Sequence, residues 1–276
     1  MAHNLHASSP APQRSNRPDL ATDAIRTARE DLAACFRMAA RNGFEEGICT
    51  HFSAVGPGHD DLFLVNPYGY AFRELTASKL LICDFHGNVL DGEGVPEATA
   101  FYIHAEMHKR LPRAKVAFHT HMPYATALTL RESGRLEMCE QNALAFYGRI
   151  SYDDEYAGLA LDSDEGDRLA ARLGNGSALF LASHGIIVTA PTIQEATYKS
   201  ASIDRACRLA YDVMLLGRDP LEIAPGLRHG MKKSLIERGT RSARLSHWPH
   251  LSSVDAPPTF DSRHEPGRLG ARGRCL

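Results

Sequence analysis

Two histidines one residue apart, His119-Thr120-His121, end the apolar run Val116-Ala117-Phe118. On a β-strand successive side chains alternate faces, so residues two apart point the same way and both imidazoles can converge on one ion. A third histidine, His184, follows the apolar run Ala178 to Ala182 and precedes Gly185, a residue that allows close backbone approach. Two strand ends that bring three neutral imidazoles together make a facial metal site with positions left open for substrate. Alone, a His-x-His also fits two locally hydrogen-bonded side chains, and the distant partner is what favours a metal.

A second cluster, His104-Ala105-Glu106-Met107-His108, places two histidines four apart on a helix. Glutamate does not directly follow the first histidine, so this is not the zinc-protease pattern in which that carboxylate is the general base. His108 is expected to face solvent. His104, one turn earlier, fits either the pocket or a packed, hydrogen-bonded position.

These residues need a scaffold, and the pattern supplies an alternating one. Ile25, Ala28, Leu32, Phe36 and Ala39 recur at helical spacing and stop at Asn42-Gly43. Strand-like runs follow at Thr50 to Ala54, Leu62 to Val65 and Leu81 to Phe85, separated by turns such as Gly56-Pro57-Gly58 and His86-Gly87-Asn88. A helix over Glu97 to Leu111, closed by Pro112, delivers the chain to the histidine strand. Pro123 opens a short helix, and Ser163 to Leu173 forms another ending at Gly174. Ala178 to Ala182 and Ile186 to Thr189 are strands. Thr192 with Glu195 starts a long helix towards Gly217, expected to be the last long folded element.

The ends differ from the body. Residues 1–18, rich in Ala, Ser, Pro and Asn without apolar periodicity, read as a disordered segment, and 19–224 as one catalytic domain. Residues 225–276, rich in Arg, Ser, Pro and Gly with Trp248 as an anchor, read as a flexible or loosely docked tail able to act as a lid. The 276 residues carry a formal net charge of -2 and 43% hydrophobic side chains, which gives no electrostatic case for nucleic acid or an anionic membrane as partner. Six scattered cysteines, with neither a signal peptide nor a membrane-spanning run, point to the reducing cytoplasm.

The order of motifs then resembles a family. Thr50-His51-Phe52-Ser53, Val65-Asn66-Pro67-Tyr68-Gly69, Leu75-Thr76-Ala77-Ser78, Ile103-His104, His119-Thr120-His121, Phe146-Tyr147-Gly148-Arg149-Ile150 and Ser183-His184-Gly185 look like the class II aldolase and adducin head domain family over residues 20 to 217. The resemblance implies a three-layer α/β/α fold around a central mixed, largely antiparallel sheet. It also implies assembly as a homotetramer, and His119, His121 and His184 as the three protein ligands of a divalent metal. Adducin heads keep the fold without the metal histidines, so their presence here argues against a purely structural role.

One departure bears on the chemistry. Sugar-phosphate aldolases of the family carry an acid/base residue nineteen positions before the first histidine of the pair, and Ala100 stands there. Glu97, a helical turn earlier, fits either a substitute or a solvated first-turn side chain. The loops that hold phosphate in those aldolases are more aromatic here and suit a flat, partly apolar substrate. Members with similar loops include metal-dependent decarboxylases of aromatic acids and non-haem iron oxygenases of aminocoumarin antibiotic biosynthesis. The resemblance, with Ala100 and the Arg-rich tail, points to the oxygenase: Fe(2+) and O2 acting on a prenylated 4-hydroxyphenylpyruvate, an aromatic 2-oxo acid, through the mandelate to the benzoate. Mn(2+), Zn(2+) or Co(2+) suit the same ligands and the decarboxylase or aldolase alternatives. His51 and His104 are the catalytic candidates, and Asn66, Tyr68 and Arg149 the substrate-binding ones. Asn66 and Tyr68 equally suit a turn, and Arg149 an interface ion pair.

Overall fold

The computed structural model describes residues 17–132, 134–217 and 221–245. Helix α1 (Asp23–Arg41) begins where the Thr22 hydroxyl accepts from the Ile25 N–H, and its buried stripe runs from Ile25 to Ala39. Strands β1 (His51–Val55), β2 (Leu62–Val65), β3 (Leu81–Asp84) and β4 (Val89–Asp91) follow, then helix α2 (Ala98–Arg110), strand β5 (Val116–Thr120) and helix α3 (Pro123–Thr129). The chain continues through β6 (Ile150–Asp153), α4 (Ser163–Leu173), β7 (Ala178–Leu181), β8 (Gly185–Ala190), α5 (Ile193–Leu215) and α6 (Pro225–Leu245).

All eight strands form one sheet in the order β4-β3-β2-β1-β5-β8-β7-β6. Every neighbouring pair is antiparallel except β6 with β7. Strand alternation then sorts the core into two layers. Phe52, Phe118, Phe180, Ile186 and Val188 pack with α1, α3 and α5 on one face. Leu179, Leu181 and Ile187 meet Ile103, Met107, Leu169 and Leu173 of α2 and α4 on the other. The architecture is the expected three-layer α/β/α fold.

The pairing of β1 with β5 sets the site. His51 lies opposite His119 and Phe52 opposite Phe118. The two phenylalanines stack at 3.9 Å between ring centroids, and Phe36 of α1 extends the stack. One face of this strand pair is therefore aromatic core, and the other carries histidines. Across that second face α2 crosses α4 at Gly166, where a Cβ would come within 2.4 Å of the Tyr102 carbonyl.

Two expectations need correction. The 225–276 segment is not all flexible tail, and α5 is not the last long element. Helix α6 packs on α5 and on the short 3-10 turn Asn142–Phe146, with Ala243 buried and Leu235 against the main core. The remainder, with Trp248, lies outside the described residues, as does most of the expected disordered segment 1–18. Strands β4 and β6 come without a sequence signal: both are short, and no residue of β4 is fully buried.

Candidate metal centre

His119 is the last residue but one of β5, on its α2-facing side, and is 1% exposed. Its Nδ1 donates to the Ile186 carbonyl across the β5–β8 pair at 3.2 Å, which turns Nε2 outward as a lone pair. His121, just past the strand, gives its Nδ1–H to the Glu46 carboxylate and likewise presents Nε2. These two Nε2 atoms stand 3.1 Å apart. Two lone pairs facing each other at that distance repel unless a cation lies between them, and cis ligands on bonds of about 2.1 Å have about this spread.

His184 completes the group from the turn between β7 and β8. Its ring centroid lies 4.8 Å from that of His119 and 4.9 Å from that of His121, and one nitrogen from each of the three residues falls within 4.8 Å of the others. The turn is specialised. Ser183 has φ 55°, the left-handed value among the described non-glycine residues, and its N–H bonds the Thr129 carbonyl. A Cβ at Gly185 would lie 2.6 Å from the Thr120 carbonyl and 2.7 Å from the His121 ring, so only glycine lets this turn approach β5 closely enough. Burial, more than the neighbouring histidines, keeps His119 well below its usual pKa and pushes His184 down to about 4. Both rings are neutral near pH 7, the form a metal requires. The donor set fits a divalent ion.

A deeper histidine chain backs this centre. The Ala114 carbonyl can only accept, so His108 donates to it from Nδ1 at 2.6 Å. His108 Nε2 is then a lone pair, met by the Ser53 hydroxyl at 2.7 Å. The Ser53 oxygen accepts from His104 Nδ1, and His104 Nε2 accepts from His51 Nδ1 at 2.7 Å. The His51 ring finally lies against His119, centroids 4.8 Å apart. Burial dominates here too: His51 and His104 are held well below their ordinary pKa and His108 at about 4.

The three histidines border a cleft of about 370 Å³. Ile48, Ile103, Leu159 and Leu181 give it apolar walls, with Tyr68 and Tyr156 at the mouth, and Glu97, Thr99, Asp153, Glu155, Glu165 and Arg168 are among its polar groups. Glu97 caps α2, its carboxylate accepting from the Ala100 N–H at 2.9 Å and from the Thr99 hydroxyl. Arg168 is held by two bonds to the buried Asp153, at 2.8 and 2.6 Å, and by Glu165. Ala100 itself is fully buried.

The structure distributes the expected site residues unevenly. His119, His121 and His184 come together, and Tyr68 borders their cleft. His51 and His104 are buried behind the centre and do not line the cleft. His108 is corrected from solvent-facing to 7% exposed, because the helix face that carries His104 also carries His108 and both pack on the sheet. Asn66 spends its side chain locally, accepting from the Phe52 N–H at 3.2 Å. Arg149 precedes β6, whose other end, Asp153, borders the cleft; the strand's length separates it from the metal group, and it opens on a separate cavity. Helix α6 lines that second cavity, so 225–245 is no lid on the metal cleft. Glu46 carries no spacing signal at all, whereas Ser53 follows from alternation, two residues after His51.

Residues 30–211 match the family model described as Class II Aldolase and Adducin N-terminal domain. The chain belongs to that family. A Caulobacter vibrioides protein named for the class 2 aldolases is 33% identical over 223 residues, covering 80% of this chain and 86% of the relative. The 4-hydroxy-3-prenylphenylpyruvate oxygenase/4-hydroxy-3-prenylbenzoate synthase of Streptomyces roseochromogenus subsp. oscitans is 29% identical over 179 residues, 64% of each chain. Among solved structures, an aldolase II superfamily protein from Pseudomonas syringae superposes with TM-score 0.76 at 27% identity, over 86% of this chain and 96% of that one. The L-fuculose 1-phosphate aldolase from Glaciozyma antarctica PI12, at 22% identity and TM-score 0.71 over 83% and 91% of the two chains, shares the fold. No helix among the described residues is long and apolar enough to cross a membrane.

Proposed function

We propose that this chain is a divalent-metal-dependent enzyme that binds a small aromatic 2-oxo acid and breaks the bond between its carboxyl and keto carbons. The observation that carries this is the convergence of three imidazoles beside a largely apolar cleft, with the family's acid/base position occupied by the buried Ala100. Retro-aldol cleavage lacks its usual proton carrier there. The similarity to the Streptomyces oxygenase supports the oxidative form, in which the 2-oxo acid and O2 give CO2 and the one-carbon-shorter hydroxy acid, one oxygen atom entering the new carboxyl group and the other the benzylic hydroxyl, and a second O2 takes that hydroxy acid to the benzoate, CO2 and water. Bound Fe(2+), held by His119, His121 and His184, would pass electrons from substrate to O2.

The protein's own groups do the rest. Glu46 and the Ile186 carbonyl hold two of the imidazoles in the required tautomer. Ile48, Ile103 and Leu181 exclude water from the aromatic end of the substrate, and Tyr68 and Tyr156 flank its entry. Glu97 favours a second reading. As the carboxyl group of the cleft wall on α2, it can deliver a proton to the carbon that loses CO2, the requirement of a decarboxylase using Mn(2+), Zn(2+) or Co(2+) without oxygen.

Protein loaded anaerobically with Fe(2+) and given prenylated 4-hydroxyphenylpyruvate is expected to consume one O2 per CO2 released. CO2 without oxygen uptake selects the decarboxylase. No turnover with any of the four ions, with His119→Ala equal to the parent in metal content, sinks the enzyme reading and leaves an adducin-like interaction module. Assembly as a homotetramer belongs to the same proposal, and sedimentation of the purified chain tests it.

A further inference from the structure

A second cavity, of about 230 Å³, opens between α5, α6 and the Asn142–Phe146 turn, at the end of β6 remote from the metal cleft. Two half-buried cations enter it. Arg149 makes no side-chain hydrogen bond or ion pair among the described residues, and Lys199 spends one donor on the Thr189 carbonyl at 3.1 Å. A third cation, Arg238, stands at the rim on α6. Glu195 is the one carboxylate among the described lining residues, and it forms no ion pair with any of them. Glu195 attracts both cations through space without bonding either, and charges withdrawn from water without a bonded counter-ion are costly. Arg113, bonded to the Gly174 and Gly176 carbonyls, adds further positive potential to both Arg149 and Lys199. Burial and then Arg149 push Lys199 down to about 8, with Glu195 opposing them.

The cavity is built, not a packing gap. Tyr198, Asn142, Ser202 and Thr240 add neutral hydrogen-bonding groups around the cations. Gly239 lets α6 close the wall, since a Cβ there would lie 2.8 Å from the Tyr198 ring. Arg149 presents a planar fork of donors and Lys199 a compact charge, the pair of shapes that holds a tetrahedral oxyanion.

We propose that this cavity is a binding site for a phosphate group, free or carried on a small organic molecule, separate from the metal centre. The volume admits the phosphate and a few further atoms. Occupancy would neutralise the cations and tie α6 to α5, giving the ligand control over the stability of that helix. The inference does not depend on the reaction proposed above.

The test is titration calorimetry and thermal melting of the full chain with inorganic phosphate and, separately, glycerol 2-phosphate, each against chloride at equal ionic strength. One site per chain is expected, with a higher melting midpoint that chloride does not reproduce. Arg149→Gln and Lys199→Gln should each weaken binding by about tenfold or more, Arg149→Lys less, while His119→Ala binds as the parent does. Tighter binding of glycerol 2-phosphate than of phosphate assigns an organic ligand, and the reverse assigns the free ion. Circular dichroism shows whether each variant is folded. Absence of binding at tens of millimolar phosphate overturns the proposal, as does equal binding by the parent and Arg149→Gln. Loss of binding in His119→Ala also overturns it, by placing phosphate at the metal centre, and that outcome leaves the metal proposal standing.

Discussion

Two trios of histidines lie on the same side of one strand pair and meet opposite fates. In the inner trio, His51, His104 and His108, lone pairs and N–H groups alternate from His51 Nδ1 through Ser53 to a backbone carbonyl, so both nitrogens of His104 and His108 are satisfied by the protein alone. In the outer trio, His119, His121 and His184, the outer nitrogens of two rings are tied to Ile186 and Glu46 while their inner nitrogens face each other 3.1 Å apart. Residue type and burial alone do not distinguish these roles. What distinguishes them is that the inner rings bond one another in a chain that ends on a backbone carbonyl, whereas the outer rings turn one nitrogen each towards a common point.

The largest effect should come from the outer trio. His119→Ala removes the central ligand, and metal analysis after reloading should fall from one divalent ion per chain to a trace, with the folded state retained. If the same loss appeared in His104→Ala with stability unchanged, the division between the trios would be broken.

Acid should strike both trios, and His108 isolates the share of the inner one. His108 titrates at about 4 in the folded protein and near 6.5 when unfolded. Between those values the unfolded chain binds the proton and the folded chain does not, so stability is complete above about pH 6.5 and declines as pH falls towards 4. That residue accounts for on the order of 3 kcal/mol across the window. Urea midpoints measured from pH 8 to 5 should fall, and His108→Gln should flatten the curve. A parent curve without slope would show that the inner rings are already charged.

Cutting the inner chain at one link comes next. His104→Ala strands the His51 N–H and the Ser53 hydroxyl in a dry layer, an expected loss of about 2–4 kcal/mol in denaturant titration. Metal content should remain near one per chain, because His51 touches His119 through its ring and not through a bond to the metal-facing nitrogen.

How much of this was legible in the sequence depends on range. The His119–His121 pair follows from a period of two, and Gly185 announces the tight approach that its missing Cβ permits. The phenylalanine and histidine faces of β1 and β5 follow from the same alternation once the strands are placed. The helix α6 carries Leu227, Met231, Leu235, Gly239 and Ala243 every four residues, a stripe that its Arg, Ser and Gly content hides. His108 is misplaced by treating histidine as a surface residue, although it shares a helix face with His104. The approach of Glu46 to His121 crosses seventy-five positions and has no local signature. The cavity around Arg149 needs three elements that meet only in the folded chain.

Glu46 supplies the finest test of the contrast. Its carboxylate lies outside the ligand set, on an exposed segment after α1, and acts by holding the proton on His121 Nδ1 so that Nε2 stays a lone pair. Glu46→Gln keeps the shape and a hydrogen-bond acceptor but removes the charge that makes the imidazole a stronger donor to the metal. Outer partners of this kind are worth about 10–100-fold in metal affinity. Competition with a chelator should show a weakening in that range with full occupancy recovered at excess metal, and the urea midpoint should stay where it is. If the midpoint falls while affinity holds, Glu46 braces the fold as the inner trio does. In that case the boundary between satisfied and metal-seeking histidines runs between His121 and His119 and not between the two layers.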